Sequence, residues 1–429
     1  MTLITLSFAG LILLFVLMFL GMPISFSMFI VGFLGLMLTV SPKAAFTVIT
    51  ADLWNEFSKY TMSVIPLYVL MGEIVFRTGV TEKLFRAAYK WVGQLKGGMA
   101  GTVVLASAGF AAICGSNSAT AATMGTVALP ELKKYGYDNA LSLGTIAAGG
   151  TLGVIMPPST VLLVIALQTE QSVRSLFIAS VIPAIILTLL FLLTILFICQ
   201  KNPQLGPAGP KTPIRDKLYS LKDVLPVLGL FAFVIGGLHL GWFTPTESAA
   251  FGAFGAVVLS LLMRSLSLKM LEEAALNTLK SSTMVIMLMV GAMVFGRFLA
   301  ITRLPYEIAA WTAKLDVDGV IILLAVLAVF VIGGAVMDAL GFLIISLPIF
   351  YPTIISLGYD PVWLGVVLCI VTSAGAITPP VGVNVFVVKG FAPEVPMGSI
   401  FKGAVYYLGA YALLITLLIC FPNIITFLL

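Results

Sequence analysis

The sequence predicts an all-α polytopic membrane protein built from two repeats of inverted topology, each with a re-entrant helical hairpin and an interrupted helix. Of its 429 residues, 60% are hydrophobic and 10% are charged, whereas soluble domains carry roughly 25% charged residues. Apolar runs of about 20 residues, the length that crosses a bilayer, recur from end to end. A motif that interrupts such a run occurs twice, 222 positions apart, as Gly153 to Pro158 (GVIMPP) and Gly375 to Pro380 (GAITPP).

The duplication divides the chain into a first repeat at 1–200, a linker at 201–222 and a second repeat at 223–429. The linker is rich in proline and glycine and is the only polar, loop-like segment of any length. A Gly-Tyr-Asp turn precedes both interrupted segments at the same offset, at 136–138 and 358–360. This shared spacing makes a chance pair of Pro-Pro dipeptides implausible.

In each repeat, scaffold helices precede three special elements. The first repeat has a predicted amphipathic arm helix on the membrane surface at 80–96, a hairpin at 98–132 and an interrupted helix at 140–168. The second has an arm helix at 300–315, a hairpin at 317–354 and an interrupted helix at 361–390. The breaks inside the hairpins are Gly115 to Thr120 and the segment from Gly333 to Asp338.

The hairpins decide the predicted topology. A broken, polar turn at membrane depth is tolerated only where it is buried in protein or lines a cavity. If each hairpin enters and leaves on one side, each repeat crosses the membrane five times, and the two repeats must be inverted. With the linker in the cytoplasm, 17 of the 23 lysines and arginines lie inside, in agreement with the positive-inside rule.

The first pair of breaks predicts a cation site. Unwound backbone supplies free carbonyls, and Ser116, Asn117, Ser118, Thr151 and Ser159 add side-chain oxygens. A small hard cation prefers such an oxygen cage, and helix C-terminal ends add partial negative charge. We therefore expect a sodium site here. The alternative is that these small residues only allow close helix packing.

The second pair of breaks offers an ionisable group. Asp338 lies within an apolar run, where a charge is unfavourable by several kcal/mol unless it is paired or hydrated. It is accompanied by neutral oxygen donors and small residues around the second break: Gly333, Gly334, Thr372, Ser373, Gly375, Thr378 and Asn384. Asp338 is thus a candidate ion ligand, and its alternative role is to cap the helix that follows.

Other charged residues have competing interpretations. Arg297 ends an apolar run and could hold a carboxylate through two parallel hydrogen bonds, or it could reach the membrane interface as an anchor. Glu73 and Arg77, four residues apart, indicate a local ion pair. Thr244 to Glu247 is typical of a capping box, and the single histidine, His239, has no ligand-like neighbour.

Composition and motifs exclude several classes of function. The chain has no soluble domain for a nucleic acid or nucleotide, and an intramembrane hydrolase would require paired aspartates, a Ser/His dyad or a His-Glu zinc motif in the membrane. A passive channel is a further alternative, but two opposed hairpins with duplicated interrupted helices are typical of a transporter's binding site.

The motifs Gly115-Ser-Asn-Ser-Ala-Thr-Ala, Ala147 to Ser159 (AAGGTLGVIMPPS) and Thr378 to Asn384 (TPPVGVN) resemble the large membrane subunit of tripartite ATP-independent periplasmic (TRAP) transporters. The resemblance covers essentially the whole chain. It implies an elevator-type ion transporter architecture, in which a domain holding both hairpins slides against a scaffold. It also implies sodium-driven uptake of a carboxylate-bearing solute such as a dicarboxylate, keto acid or sialic acid.

The resemblance further implies partners, location and site residues. The partners would be a small four-helix membrane subunit, a periplasmic substrate-binding protein and membrane lipid. The chain itself would lie in the bacterial inner membrane, with both of its termini periplasmic. Substrate would contact Ser116, Ser159 and Arg297. The sodium ligands would come from the four breaks: Ser116, Asn117, Ser118, Thr151, Gly153, Asp338, Gly375 and Thr378. The alternative is a stand-alone sodium/dicarboxylate symporter of the same superfamily, which needs no binding protein.

Overall fold

A computed structural model describes residues 2–429, and every regular element in that range is a helix. The first half contains α1 (Leu3–Phe19), α2 (Ile24–Thr39), α3 (Pro42–Phe57), α4 (Val64–Arg77), α5 (Val80–Val92), α6 (Gly98–Cys114), α7 (Asn117–Lys134), α8 (Asn139–Ile155), α9 (Thr160–Gln168) and α10 (Val173–Lys201). The second half contains α11 (Ile214–His239), α12 (Pro245–Leu262), α13 (Leu268–Ile301), α14 (Leu304–Ala313), α15 (Gly319–Val336), α16 (Ala339–Ser356), α17 (Pro361–Gly375), α18 (Val383–Lys389), α19 (Met397–Cys420) and α20 (Asn423–Thr426).

The helices have the length and apolar character of a polytopic membrane protein. Eight of those described are long and apolar enough to cross a bilayer, and the pair α8 and α9, bent by 41° at its break, adds a ninth candidate. The predicted all-α membrane fold is therefore confirmed. Four shorter apolar helices, α1, α2, α6 and α17, accompany them.

The core of the molecule lies around the two interrupted helices. Helix α8 is buried on every side from Leu141 to Ile155, and α17 is buried on every side from Trp363 to Gly375. Both begin at an aspartate cap at the predicted offset: Asp138 accepts from the Leu141 amide at 2.9 Å, and Asp360 accepts from the Trp363 amide at 2.7 Å. Helices that are apolar around their whole circumference belong in the interior of a bundle, and here the hairpins pack around them.

Helices of the first half pack against helices of the second half in reciprocal pairs. Helix α2 of the first half packs along α13 of the second, and α12 of the second half packs along α4 of the first. Helices α4 and α13 also contact each other, as do α8 and α17. Such reciprocal pairing is what a two-fold relation between repeats produces. It accords with the predicted duplication, while the predicted boundaries and the inversion remain predictions.

Several element boundaries differ from the sequence-based expectation. Helix α11 already begins at Ile214, after Pro213, so only 202–213 of the predicted 201–222 linker is irregular. Its first turns are charged and extend the helix beyond its apolar part. The arm helices are shorter than predicted. Helix α5 ends at Val92, and α14 begins at Leu304, because Arg303 adopts a left-handed backbone conformation with φ of 59°.

The remaining linker is anchored to the first hairpin. The Tyr137 hydroxyl donates to the Pro207 carbonyl at 2.8 Å and accepts from the Met99 amide at 3.0 Å. Burial raises the pKa of Tyr137 to about 12, so this side chain remains a neutral hydrogen-bonding group at any physiological pH. The linker therefore packs against the start of α6.

Candidate functional site

The tips of both hairpins open into one cavity of about 450 Å³, called here the hairpin-tip cavity. Four parts of the chain line it: the first hairpin break (Ser116 to Ala119), the first interrupted helix (Val154, Thr160 and Val161), the second hairpin break (Asp338 to Leu340), and α4 with α13 (including Gly72, Glu73, Ser281 and Met284). The structure thus brings Ser116, Asn117, Ser118 and Asp338 together from opposite halves of the sequence.

Each hairpin is joined to its own interrupted helix by main-chain hydrogen bonds. The Gly115 carbonyl accepts from the Thr160 amide at 3.4 Å and from the Thr160 hydroxyl at 2.8 Å. In the second half, the Ala335 carbonyl accepts from the amides of Val381 and Gly382 at 3.2 and 2.8 Å. The bonds between Pro157 and Pro158 and between Pro379 and Pro380 are both cis. Each hairpin turn and helix break therefore form one joined unit.

The duplicated glycines allow this close approach. A Cβ atom added to Gly153 would lie 2.2 Å from the Ser116 carbonyl oxygen and 2.7 Å from the Thr120 hydroxyl. A Cβ atom added to Gly375 would lie 2.5 Å from the carbonyl carbon of Gly334. Both predicted ion-site glycines thus contact the hairpin of their own half.

The two hairpin tips differ in charge at one equivalent position. Ser116 and Asp338, again 222 positions apart, each precede the second helix of their hairpin. The Ser116 hydroxyl accepts weakly from the Ala119 amide at 3.5 Å, and the Asp338 carboxylate accepts from the Leu340 amide at 3.1 Å. The alternative role of Asp338 as a helix cap is therefore present in the structure. Because a carboxylate has further lone pairs, capping leaves it able to bind a cation.

Two of the oxygens predicted around the first break have acceptor capacity left. Asn117 is 4% exposed, lines the hairpin-tip cavity, and its Oδ1 has no hydrogen-bond partner. Thr151 is fully buried, and its hydroxyl accepts from the Tyr411 hydroxyl at 2.6 Å while donating to the Ala148 carbonyl at 2.5 Å. A hydroxyl has two acceptor lone pairs, so Thr151 retains one. Neutral oxygens of this kind are suited to a hard monovalent or divalent cation.

Around the second break, two groups resemble those of the first. The Thr378 hydroxyl donates to the Ala374 carbonyl at 2.8 Å, which directs its lone pairs away from the helix. Asn384 is fully buried, and its Nδ2 donates to the Ala147 carbonyl at 3.0 Å while its Oδ1 has no partner. Asn384 therefore connects the second break to α8 of the first half and leaves one oxygen free.

The hairpin-tip cavity is acidic. Glu73 and Asp338 line it, and no lysine, arginine or histidine occurs among its described lining residues. Glu73 forms the expected pair with Arg77, whose guanidinium donates to the Glu73 carboxylate and, at 3.0 Å, to its carbonyl. The same guanidinium lies 3.8 Å from the Glu273 carboxylate.

Two predicted substrate residues lie elsewhere. Arg297, on α13, donates from Nε and a terminal nitrogen to both oxygens of Asp52 on α3, at 2.9 and 2.7 Å. It lines a separate cavity of about 900 Å³ together with Lys59 and Arg303. Ser159 is 2% exposed and caps α9 by accepting from the Leu162 amide at 3.3 Å. A substrate carboxylate could bind this edge of the Arg297 guanidinium only by displacing Asp52.

Sequence reasoning missed three residues of these surroundings. Glu73 was explained by its local pair with Arg77, and nothing in the sequence indicated that this residue lines a cavity. Asp52 lies on α3, which was not predicted, although Ser41 and Pro42 form a usable helix-start signal. Tyr411 contacts Thr151 across 260 positions, and no local pattern reports such a pair.

Comparisons with known proteins identify the family to which this chain is similar. The family model for the DctM component of the tripartite ATP-independent periplasmic transporter matches residues 11–424. The C4-dicarboxylate TRAP transporter large permease protein DctM of Pseudomonas aeruginosa is 35% identical over 83% of this chain and 83% of its own. The sialic acid TRAP transporter large permease protein SiaM of Vibrio cholerae is 28% identical over 95% of this chain and 94% of its own.

Two further similarities are broader. The isethionate TRAP transporter permease protein DctMQ of Oleidesulfovibrio alaskensis is 31% identical over 79% of this chain, which covers 53% of that protein. The crystal structure of the Alcanivorax borkumensis YdaH transporter superposes with a TM-score of 0.62 at 17% identity, covering 89% of this chain and 90% of that one; this is a likeness of fold. On its sequence and its helical architecture, the chain belongs to the family of TRAP transporter large permeases, the DctM component, and is a transporter protein and not an enzyme.

Proposed function

We propose that this chain performs sodium-coupled secondary active uptake of a carboxylate-bearing solute by an elevator mechanism. The observation that carries the proposal is the charge of the hairpin-tip cavity, which presents Glu73 and Asp338 and no basic side chain among its described lining residues. Bringing like charges together in one binding site is unfavourable by several kcal/mol. An anionic solute therefore needs accompanying cations to enter, and this requirement couples its movement to sodium.

The two hairpin tips would bind groups of opposite charge. Helix α7 begins in the cavity at the neutral cap Ser116, so its free amides and positive dipole end suit a carboxylate. Helix α16 begins at Asp338, whose carboxylate already occupies the equivalent position and instead attracts a cation. Ser116 and Ser118 thus contact the solute, and Asp338 binds sodium.

Two sodium sites fit the breaks. The first would use oxygens of Ser116, Asn117, Thr151 and Gly153, because Gly153 packs against the Ser116 carbonyl and the Asn117 Oδ1 has no other partner. The second would use Asp338 with Gly375 and Thr378. Both sets consist of carbonyl, hydroxyl, amide or carboxylate oxygens, which are the ligands that hard cations prefer.

The packing supports an elevator with two bodies. Helices α6 to α10 and α15 to α20 form one group around the two breaks, while α1 to α4 and α11 to α13 pack mainly on one another. The arm helices connect the groups, since α5 packs on α6 and α14 packs on α16. We propose that the hairpin-bearing body slides against the other one and carries the occupied cavity across the membrane.

The family relationship favours the tripartite system over the stand-alone symporter. We propose that the chain works in the bacterial inner membrane with a small membrane subunit and a periplasmic substrate-binding protein, with its termini periplasmic and 201–222 cytoplasmic. The relatives named for C4-dicarboxylate, sialic acid and isethionate all handle organic anions. A carboxylate or related anion is therefore the expected substrate class.

The decisive experiment is sodium-driven uptake by the complete system in proteoliposomes, with Asp338→Asn as the test variant. Asn keeps the cap but removes the charge, so the sodium concentration for half-maximal uptake should rise at least about tenfold, the factor expected for a loss of about 1.4 kcal/mol. Asp318→Asn is the matched control, because Asp318 caps α15 in the same way, through the Val320 amide at 2.9 Å, outside the cavity.

Three outcomes would contradict the proposal. Uptake that is independent of a sodium gradient would remove the coupling, and equal sodium responses of the two variants would remove Asp338 from the ion site. Concentrative uptake by this chain without the small subunit and the binding protein would support the stand-alone symporter instead.

A further inference from the structure

The hairpin-tip cavity contains a carboxylate that neither hairpin supplies. Glu73 lies on α4, lines the cavity, and is separate in the chain from both proposed sodium sites. Asp338 and Asn117 lie at the hairpin breaks where sodium is proposed to bind. Glu73 is therefore the acidic lining residue that remains for the solute.

Arg77 does not make the Glu73 side of the cavity an anion-binding site. Its guanidinium is shared between Glu73 and Glu273, so the three side chains carry one net negative charge. Arg77 is not among the residues that line the cavity, whereas Glu73 is. Asn277 adds only a long contact, with its Nδ2 3.5 Å from a Glu73 oxygen. A second anionic group of a solute would thus meet a carboxylate first.

The rest of the cavity is compatible with a solute that carries hydrogen-bond donors, because its described lining residues include no cationic side chain. The lining serine and threonine hydroxyls and the Asn117 amide can both donate and accept hydrogen bonds, so they can accommodate such a solute.

We propose that Glu73 makes the cavity selective for solutes that carry one carboxylate together with a hydroxyl or ammonium group, and that it rejects dicarboxylates. The carboxylate binds at the start of α7, and the donor group binds at Glu73. This assignment rests on the proposed function and names the substrate class of the same site. Specificity of this kind arises from a repulsive element as much as from an attractive one.

The test measures binding to the complex of large and small membrane subunits, so that the selectivity of the binding protein does not enter. Thermal stabilisation at fixed sodium is titrated with three probes of one carbon skeleton: succinate, 4-hydroxybutyrate and 4-aminobutyrate. Succinate should need at least about tenfold more probe for half-maximal stabilisation than the other two, since each tenfold step reflects about 1.4 kcal/mol. Longer matched pairs, glutarate with 5-hydroxypentanoate and adipate with 6-hydroxyhexanoate, cover a larger natural solute.

Three variants assign the effect. Glu73→Gln keeps an acceptor for Arg77 and should reduce the preference to below about threefold, a residual of well under 1 kcal/mol. Glu73→Asp keeps the charge and should retain the preference, while Glu273→Gln removes the other acid beside Arg77, outside the cavity lining, and should leave it unchanged. Melting without probe shows whether each variant is folded.

Several results would overturn the proposal: succinate binding as tightly as the hydroxy acid, a preference that survives Glu73→Gln, an equal change in Glu273→Gln, or no response to any probe of the three lengths. None of these results bears on sodium-driven uptake of the natural solute, which is judged by the Asp338→Asn experiment. Failure of the selectivity proposal and failure of the proposed function are therefore distinguishable.

Discussion

Replacing Gly153 with alanine tests the junction between the first hairpin and the first interrupted helix. The new Cβ atom would lie 2.2 Å from the Ser116 carbonyl oxygen, about 1.2 Å closer than the 3.4 Å at which ordinary contact begins. The two nearest obstructing atoms belong to the Ser116 backbone, so the hairpin turn itself must move. Overpacking of this kind typically destabilises by about 1 to 3 kcal/mol.

The matched control is Gly229→Ala. Gly229 lies in the interior of α11, and a Cβ atom there would meet no atom within 4 Å. Alanine favours a helix by about 1 kcal/mol over glycine in both variants, so their difference isolates the contact with Ser116. We expect Gly153→Ala to be less stable than Gly229→Ala by about 1 to 3 kcal/mol.

The assay is thermal melting of the purified membrane complex over a sodium titration. Because Ser116 and Gly153 contribute to the proposed first sodium site, the half-stabilising sodium concentration should rise about fivefold or more in Gly153→Ala, the factor that accompanies a loss of 1 kcal/mol. Equal melting temperatures and equal sodium responses in the two variants would refute the reasoning, since the hairpin turn would then tolerate a displacement without effect.

Two further substitutions test neighbouring assignments. Arg297→Lys and Asp52→Asn should each change stability by about 0.2 to 1 kcal/mol, the usual contribution of an exposed ion pair. Both should leave uptake within about twofold, because Arg297 pairs with Asp52. A severe loss of uptake in Arg297→Lys alone would support the predicted role of Arg297 as a substrate clamp. Tyr411→Phe removes the bond to Thr151 and should destabilise by about 0.5 to 1.5 kcal/mol and weaken the sodium response. Tyr407→Phe removes the equivalent bond to Thr145 and should destabilise without the sodium effect; identical sodium responses would exclude Thr151 as a ligand.

The hairpins and the interrupted helices of the membrane core could be predicted because their sequence signals are local. Proline pairs break two apolar runs, and small polar residues break two others, so the positions of α6 to α9 and α15 to α18 follow from short segments of sequence. Helix α3 was missed because it carries neither of these local signals. Its 16 residues include Lys43, Asp52 and Glu56, so it has neither a membrane-length apolar run nor a break within one.

The site was only partly predictable because its geometry depends on distant contacts. The hairpin residues Ser116 to Ser118 and Asp338 were singled out from unusual polarity in an apolar setting, and the structure brings them to one cavity. The cavity wall supplied by Glu73 was not foreseen, because a glutamate and an arginine four residues apart already explain each other. Arg297 was equally ambiguous, since only tertiary structure reveals that Asp52 accepts from two of its three donor nitrogens.

The position of both hairpin tips in one cavity has a thermodynamic consequence. Ser116 and Asp338 belong to different hairpins but face the same space, so a cation at one tip and an anion at the other act on each other directly. Linkage is reciprocal: the factor by which sodium tightens solute binding equals the factor by which solute tightens sodium binding. Measuring either affinity with and without the other ligand then yields a single coupling energy for the pair. In such a cavity, scarcity of sodium on the uptake side would be registered as a lower apparent affinity for the solute.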